Sequence, residues 1–177
     1  MTNARVVDTN VILVANQAHD EASPECVKEC VLQLGKLMES GVVVVDDSYK
    51  IVMEYQNKTS TKKSKGVGDY FVRWVLQNMN RKDRVCQVPL TQHSENQYAE
   101  FPDPELEKIF DAPDRKFVAV AHAHPERPPV WQAVDCKWLD WWEPLKRHGV
   151  TVDFLCKDDA CRFYAKKFPK KPLPKLP

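Results

Sequence analysis

The stretch RVVDTNVILVAN, residues 5–16, sets Asp8, Thr9 and Asn10 between two aliphatic runs. Arg5 to Val7 read as a short buried strand, followed by a turn and a second apolar run. An unpaired carboxylate in apolar surroundings is costly, or it takes up a proton instead. Asp8 therefore caps the next segment, pairs with a base, or helps to hold a cation. The rest of the chain must decide among the three.

A length of 177 residues suits one domain with a sizeable core, and 43% hydrophobic with 29% charged residues is an ordinary globular balance. The formal charge of +1 exerts no overall pull toward nucleic acid, so any basic surface has to be local. The apolar run Val11 to Ala15 is too short for a signal peptide and follows an acid, and no stretch reaches the ~20 apolar residues of a membrane span. A cytoplasmic protein is expected, with no membrane partner. Cysteines stand at 26, 30, 86, 136, 156 and 161. Cys156-x4-Cys161 has zinc-ligand spacing. However, Cys26 and Cys30 fall on the apolar stripe of a predicted helix and Cys156 ends a predicted strand. Buried free thiols in a reducing cytosol are the expected state.

Residues 1–163 read as one domain and 164–177, KKFPKKPLPKLP with its preceding residues, as an extended, solvated Pro/Lys tail. Ser23-Pro24-Glu25 opens a helix that Gly41 ends, and Val42 to Val45 form a β-branched run suited to a strand buried on both faces. Helices are predicted over 48–56 and 67–79, then a strand over 85–88 and a long polar loop, LTQHSENQYAEFP. Asp103-Pro104 starts a short helix, and Pro113 starts another that runs to about His124. Strands follow at 129–134 and 150–156, separated by a helix over 140–147. Tyr70 and Trp74 are expected in the core, as is His124, with His122 exposed. WLDWW (138–142) reads as an amphipathic anchor. Five short strands alternating with helices predict an α/β fold of three layers, α/β/α, around a five-stranded parallel sheet.

Sites in such sheets form beyond the carboxyl ends of the strands. Asp8 and Asp135 occupy two such ends. Asp114 lies in the first turn of PDRKFVAVAHAH, and Glu54 in the helix after the second strand. Asp46 and Asp47 are rivals for the metal role or simple caps. Four carboxylates sharing one pocket need a countercharge, and an all-oxygen set suits Mg²⁺ or Mn²⁺.

VVDTNVIL, an acid in the helix after strand two, DRKFVAVA, and VDCKW after a strand resemble, in content and order, the PIN domain family over residues 4–156. The resemblance implies strand order 3-2-1-4-5 and metal-dependent nuclease activity, most often as an endoribonuclease on single-stranded RNA, with DNA as a second substrate class. It implies that Asp8, Glu54, Asp114 and Asp135 form the catalytic and metal-binding set, with Asn10 holding the first turn and Thr9 between. Lys137 stands where many members carry a second acid, and Asp140 is a candidate substitute. Lys137 is also a candidate phosphate contact, as are Lys58, Lys62, Lys63 and Lys65 after the Glu54 helix. A homodimer or a regulatory protein partner is compatible with this reading.

Two other classes compete. VVVVDDS (42–48) resembles the first strand of a phosphorelay receiver, but that family implies an acceptor Asp about 45 residues on, where QVPLTQHSEN has none. The receiver is therefore rejected. A PIN-like scaffold that binds RNA or protein without turnover is the remaining alternative, since fold alone does not guarantee chemistry.

Overall fold

Val43, Val44 and Val45 are completely buried. Successive strand residues face opposite sides of a sheet, so both faces at this strand are covered. The computed structural model describes residues 3–60 and 65–177. The chain runs β1 (Ala4–Val7), α1 (Thr9–Ala15), α2 (Pro24–Ser40), β2 (Val42–Asp46), α3 (Lys50–Lys58), α4 (Val67–Gln77) and β3 (Val85–Val88). After these come the small hairpin β4 (Gln92–Ser94) and β5 (Gln97–Tyr98), then α5 (Pro104–Ile109) and a 3-10 turn, Ala112–Asp114. The turn leads into α6 (Arg115–Ala123), and β6 (Val130–Gln132), α7 (Trp138–Arg147), β7 (Val152–Phe154) and α8 (Lys157–Lys167) complete the fold.

The large sheet has the order β3-β2-β1-β6-β7 and every pairing in it is parallel. Val6 and Val7 pair with Val130 and Trp131, and Ala4 and Arg5 with Val42 and Val43. The order reverses at β1, whose neighbours β2 and β6 lead away on either side. The five predicted strands are all present; β3 spans the expected residues, and the others are slightly shorter or longer than their apolar runs.

Several expectations are corrected. The polar loop contains the β4–β5 hairpin, and residues 157–167 form α8, so the non-helical tail begins at 168 rather than 164. That tail is not freely solvated, because the Trp142 indole Nε1 donates to the Lys175 carbonyl at 2.9 Å. Tyr70 is 54% exposed rather than in the core, while Trp74 is half-buried and stacked on Phe71. His124 leaves the core to accept from the Glu126 amide, and His122 is half-buried with Nδ1 2.8 Å from the Glu100 carbonyl. The WLDWW segment does anchor α7: Trp138, Leu139 and Trp142 are buried, and Phe110 packs on the rings of Trp138 and Trp141.

Free thiols are found at Cys30, Cys86, Cys136 and Cys161, but Cys26 and Cys156 form a disulfide across a sequence separation of 130. The first turn of α2 and the start of α8 lie side by side, with the Ser23 amide donating to Asp159 at 2.7 Å. Cys161 is not part of the sulfur cluster, which groups Cys26, Cys30 and Cys156. Among the described residues, no helix is long and apolar enough to cross a membrane.

Candidate metal centre

The sheet reversal brings the ends of β1 and β6 together, and one side chain joins them. Asn10 donates from Nδ2 to Asp8 Oδ1 at 2.5 Å and to the Gln132 carboxamide oxygen, and accepts with Oδ1 from the amides of Ala133 (2.8 Å) and Val134 (3.0 Å). Asp8 caps α1, its Oδ1 accepting from the Asn10 amide at 2.9 Å. The other oxygen, Oδ2, is buried and has no hydrogen-bond partner, in a residue only 5% exposed. Capping therefore explains one half of the Asp8 carboxylate and leaves the other half unexplained.

The charges of Asp114, Asp135 and Glu54 all act on Asp8. Burial, reinforced first by Asp114, pushes the Asp8 carboxyl well above its ordinary range, against the opposing pull of the Asn10 amide. Asp114 rises to about 7, chiefly through burial and then through Asp135, with Lys116 opposing. Asp135 is also raised by burial, although the Lys137 amide donates to its Oδ1 at 3.2 Å. Carboxylate oxygens of Asp111, Asp114 and Asp135 lie within 4.8 Å of one another.

Asp111 is a member the sequence reading missed. It stands three residues before Asp114, and its partner is Lys137, which forms an ion pair with Oδ2. Lys137 is thus placed at the acidic cluster, on a carboxylate. Lys116 was missed as well. Its side chain is 7% exposed and its ammonium lies 2.5 Å from Glu54 Oε2, while also donating to the Pro113 carbonyl. Thr9 Oγ1 donates to the other oxygen of Glu54 at 2.5 Å, so Glu54 belongs to the site's wall with both oxygens occupied.

Other candidates fall elsewhere. Asp140 is not brought to the cluster: it accepts from Tyr164 Oη at 2.6 Å and has Lys171 at 3.7 Å, which ties α7 to the chain after it. Asp46 is a cap, taking the amides of Lys50 and Ile51 at 2.9 and 2.8 Å, and Asp47 lies next to it with Ser48 on Oδ1. Lys58 and Lys65 are exposed on either side of the basic stretch, whereas Lys62 and Lys63 lie outside the described residues.

Five carboxylates and two lysines make up the cluster: Asp8, Glu54, Asp111, Asp114 and Asp135 against Lys116 and Lys137. Full ionisation leaves three uncompensated negative charges in a largely buried place. Such charges are tolerated only by protonation or by a bound cation. The unpartnered Asp8 Oδ2 and the oxygen-only donor set fit a hard divalent ion. Asp135 also borders a groove of about 790 Å³ lined by Asn10, His19, Phe163 and Lys167 among others. The rings of His19 and Phe163 meet there at a tilt of 49°, with centres 5.2 Å apart. Neither a family model, nor a curated protein, nor a solved structure matches this chain.

Proposed function

We propose that this chain is a PIN-like nuclease, an endoribonuclease that hydrolyses phosphodiester bonds of single-stranded RNA with the help of Mg²⁺ or Mn²⁺. The observation that carries it is the buried, partnerless Asp8 Oδ2, on which the charges of Asp114 and Asp135 act. Asp8, Asp114 and Asp135 would hold the ion, and Asp111 lies within reach of the last two. When bound, a divalent ion supplies the charge that lets these acids ionise together, activates water and steadies charge at phosphorus.

The protein's own groups do the positioning. Asn10 fixes the rotamer of Asp8 and the approach of the β6 end, so the two strand ends share one geometry. Thr9 and Lys116 hold Glu54 in place at the wall, leaving it no free oxygen. Lys137, a third exposed, is placed to exchange Asp111 for a phosphate oxygen of the substrate. The groove at Asp135 gives a strand its path, with Phe163 and His19 as stacking rings and Lys167 beside them.

One observation favours the scaffold reading as a second: lysines already neutralise Glu54 and Asp111, two of the five acids. A single assay separates the two. Purified protein is incubated with labelled single-stranded RNA and DNA, with and without Mn²⁺, beside Asp8→Asn. The nuclease reading expects Mn²⁺-dependent cleavage of RNA, lost in a folded Asp8→Asn chain. Cleavage that needs no divalent ion, or survives the substitution undiminished, overturns it. RNA binding without turnover assigns the scaffold.

A further inference from the structure

Away from the acids, a second group of ligand-type side chains converges. Cys26 and Cys30 sit one turn apart on α2, and Cys156 immediately precedes α8. Their sulfurs lie within 4.8 Å of one another, and Cys30 Sγ is 3.8 Å from Cys156 Sγ. All three residues are buried, yet Cys26 and Cys156 border a cavity of about 560 Å³ that Glu29 and Asp159 also line. Cys26 and Cys156 are here joined as a disulfide, with Cys30 as an unbonded third sulfur.

A disulfide explains two of these sulfurs and leaves the third without a role. One candidate role is attack on the disulfide, but thiolate is the attacking form. Cys30 is completely buried, near the acids Glu29 and Asp159, and such surroundings disfavour a bare thiolate. A cation changes that balance, because a metal-bound thiol is deprotonated outright. The surroundings suit a positive ion: Glu29 and Asp159 are close enough to act on Cys30, and Cys156 occupies the N-terminal end of an 11-residue helix without capping it. That end of the helix favours the net negative charge that three thiolates leave around a divalent ion.

We propose that, once the Cys26–Cys156 bond is reduced, Cys26, Cys30 and Cys156 bind one Zn²⁺ per chain as three thiolates, with a solvent molecule from the adjoining cavity as fourth ligand. Three sulfurs and an open position satisfy the tetrahedral preference of zinc. Reduction by a phosphine breaks the S–S bond, gives two thiols, and leaves phosphine oxide with oxygen taken from water. Binding then releases the three thiol protons. The disulfide and the zinc site exclude each other, since both use the sulfurs of Cys26 and Cys156. A diazenedicarboxamide oxidant takes two electrons from the Cys26 and Cys156 thiolates and two protons from water to become the hydrazine, restores the disulfide and expels the ion, and Cys30 is reprotonated from water.

The test uses the full chain, reduced with a phosphine without oxygen, exposed to Zn²⁺, desalted, and assayed for zinc by mass spectrometry. One equivalent is expected in the wild type and in Cys161→Ser and Asp114→Asn, and none in Cys30→Ala. With Co²⁺ as the probe, a thiolate-to-metal band is expected in the near ultraviolet and is absent in Cys30→Ala. Cys30→Ala leaves the disulfide pair intact, and circular dichroism of its oxidised form checks the fold. Cys156→Ser is the second variant and should also lose the band. No zinc retained by the reduced wild type, or a band that survives Cys30→Ala, overturns the proposal. Loss of binding in Asp114→Asn alone also overturns it, by placing the ion in the acidic cluster.

Discussion

Asp114 is the residue at which protons and a cation compete. Its carboxyl reaches about 7, and those of Asp8 and Asp135 are raised as well, in each case with burial as the leading cause. A folded state that keeps protons longer than the unfolded chain is most stable below the ordinary carboxylate range near 4 and loses that advantage as pH rises to about 7. Thermal melts of the metal-free protein should therefore show a falling Tm between about pH 4.5 and 8. Asp114→Asn should flatten the fall and raise Tm by a few degrees at pH 8. Mn²⁺ should raise Tm of the wild type at pH 8 and do little at pH 5. A metal-free Tm that rises across the window and is unchanged by Asp114→Asn would contradict this account of the cluster. The acids Asp8, Glu54, Asp114 and Asp135 were legible because each interrupts an apolar pattern or stands at a strand end. Lys116 was not, since a lysine in DRKFVAVA looks solvated and burial of one is rare. Its burial depends on Glu54, which lies 62 positions away in the numbering and appears only in three dimensions.

Among the elements, the junction of α1 and α4 is held by a carboxylate and by a close backbone approach. Asp69, in the first turn of α4, accepts from Asn16 Nδ2 at 2.7 Å, from the Ser60 amide at 3.0 Å and from the Lys65 amide at 2.9 Å. Burial alone would raise its carboxyl, but these donors outweigh burial and hold it below its usual value. A side chain at Gly68 would meet the Ile12 carbonyl at 2.2 Å, so the two helices meet backbone to backbone. Asp69→Ala should cost roughly 1–3 kcal/mol in urea unfolding, because it strands three donors around a buried position. A loss under about 0.5 kcal/mol would show that water replaces the carboxylate. The strands of the sheet were readable from their short apolar runs, of which Val42 to Val45 is β-branched throughout. The β4–β5 hairpin was not, because Gln92–Ser94 is exposed and polar along its length. α8 escaped notice for a similar reason: KDDACRFYAKK buries only Asp159, Ala160 and Tyr164, too few to mark a stripe. The disulfide was hidden by its separation of 130 residues, which no local spacing reveals.

At the scale of the molecule, strand order decides where chemistry can happen. The sheet turns back at β1, and the carboxyl ends of β1 and β6 open the crevice where α/β folds place ligands. The groove beside Asp135 extends that crevice toward α8. If RNA lies along it, Phe163→Ala should weaken RNA binding about tenfold while leaving Mn²⁺ affinity unchanged, since base stacking on an aromatic ring is worth roughly 1–3 kcal/mol. Fluorescence anisotropy with a short labelled RNA, beside a Mn²⁺ titration, checks both halves. Unchanged RNA affinity would move the substrate path off this groove, whereas absence of any RNA binding in the wild type would remove the nuclease reading itself.

The hub role of Asn10 carries a chemical consequence for the ageing protein. Hydrolysis of that carboxamide would preserve its size and outline but erase both N–H donors, turning a new anion toward Asp8 and the Gln132 oxygen. A stored sample deamidated at this single position would thus keep its shape, and its mass to within about one unit, while the ends of two strands repel each other.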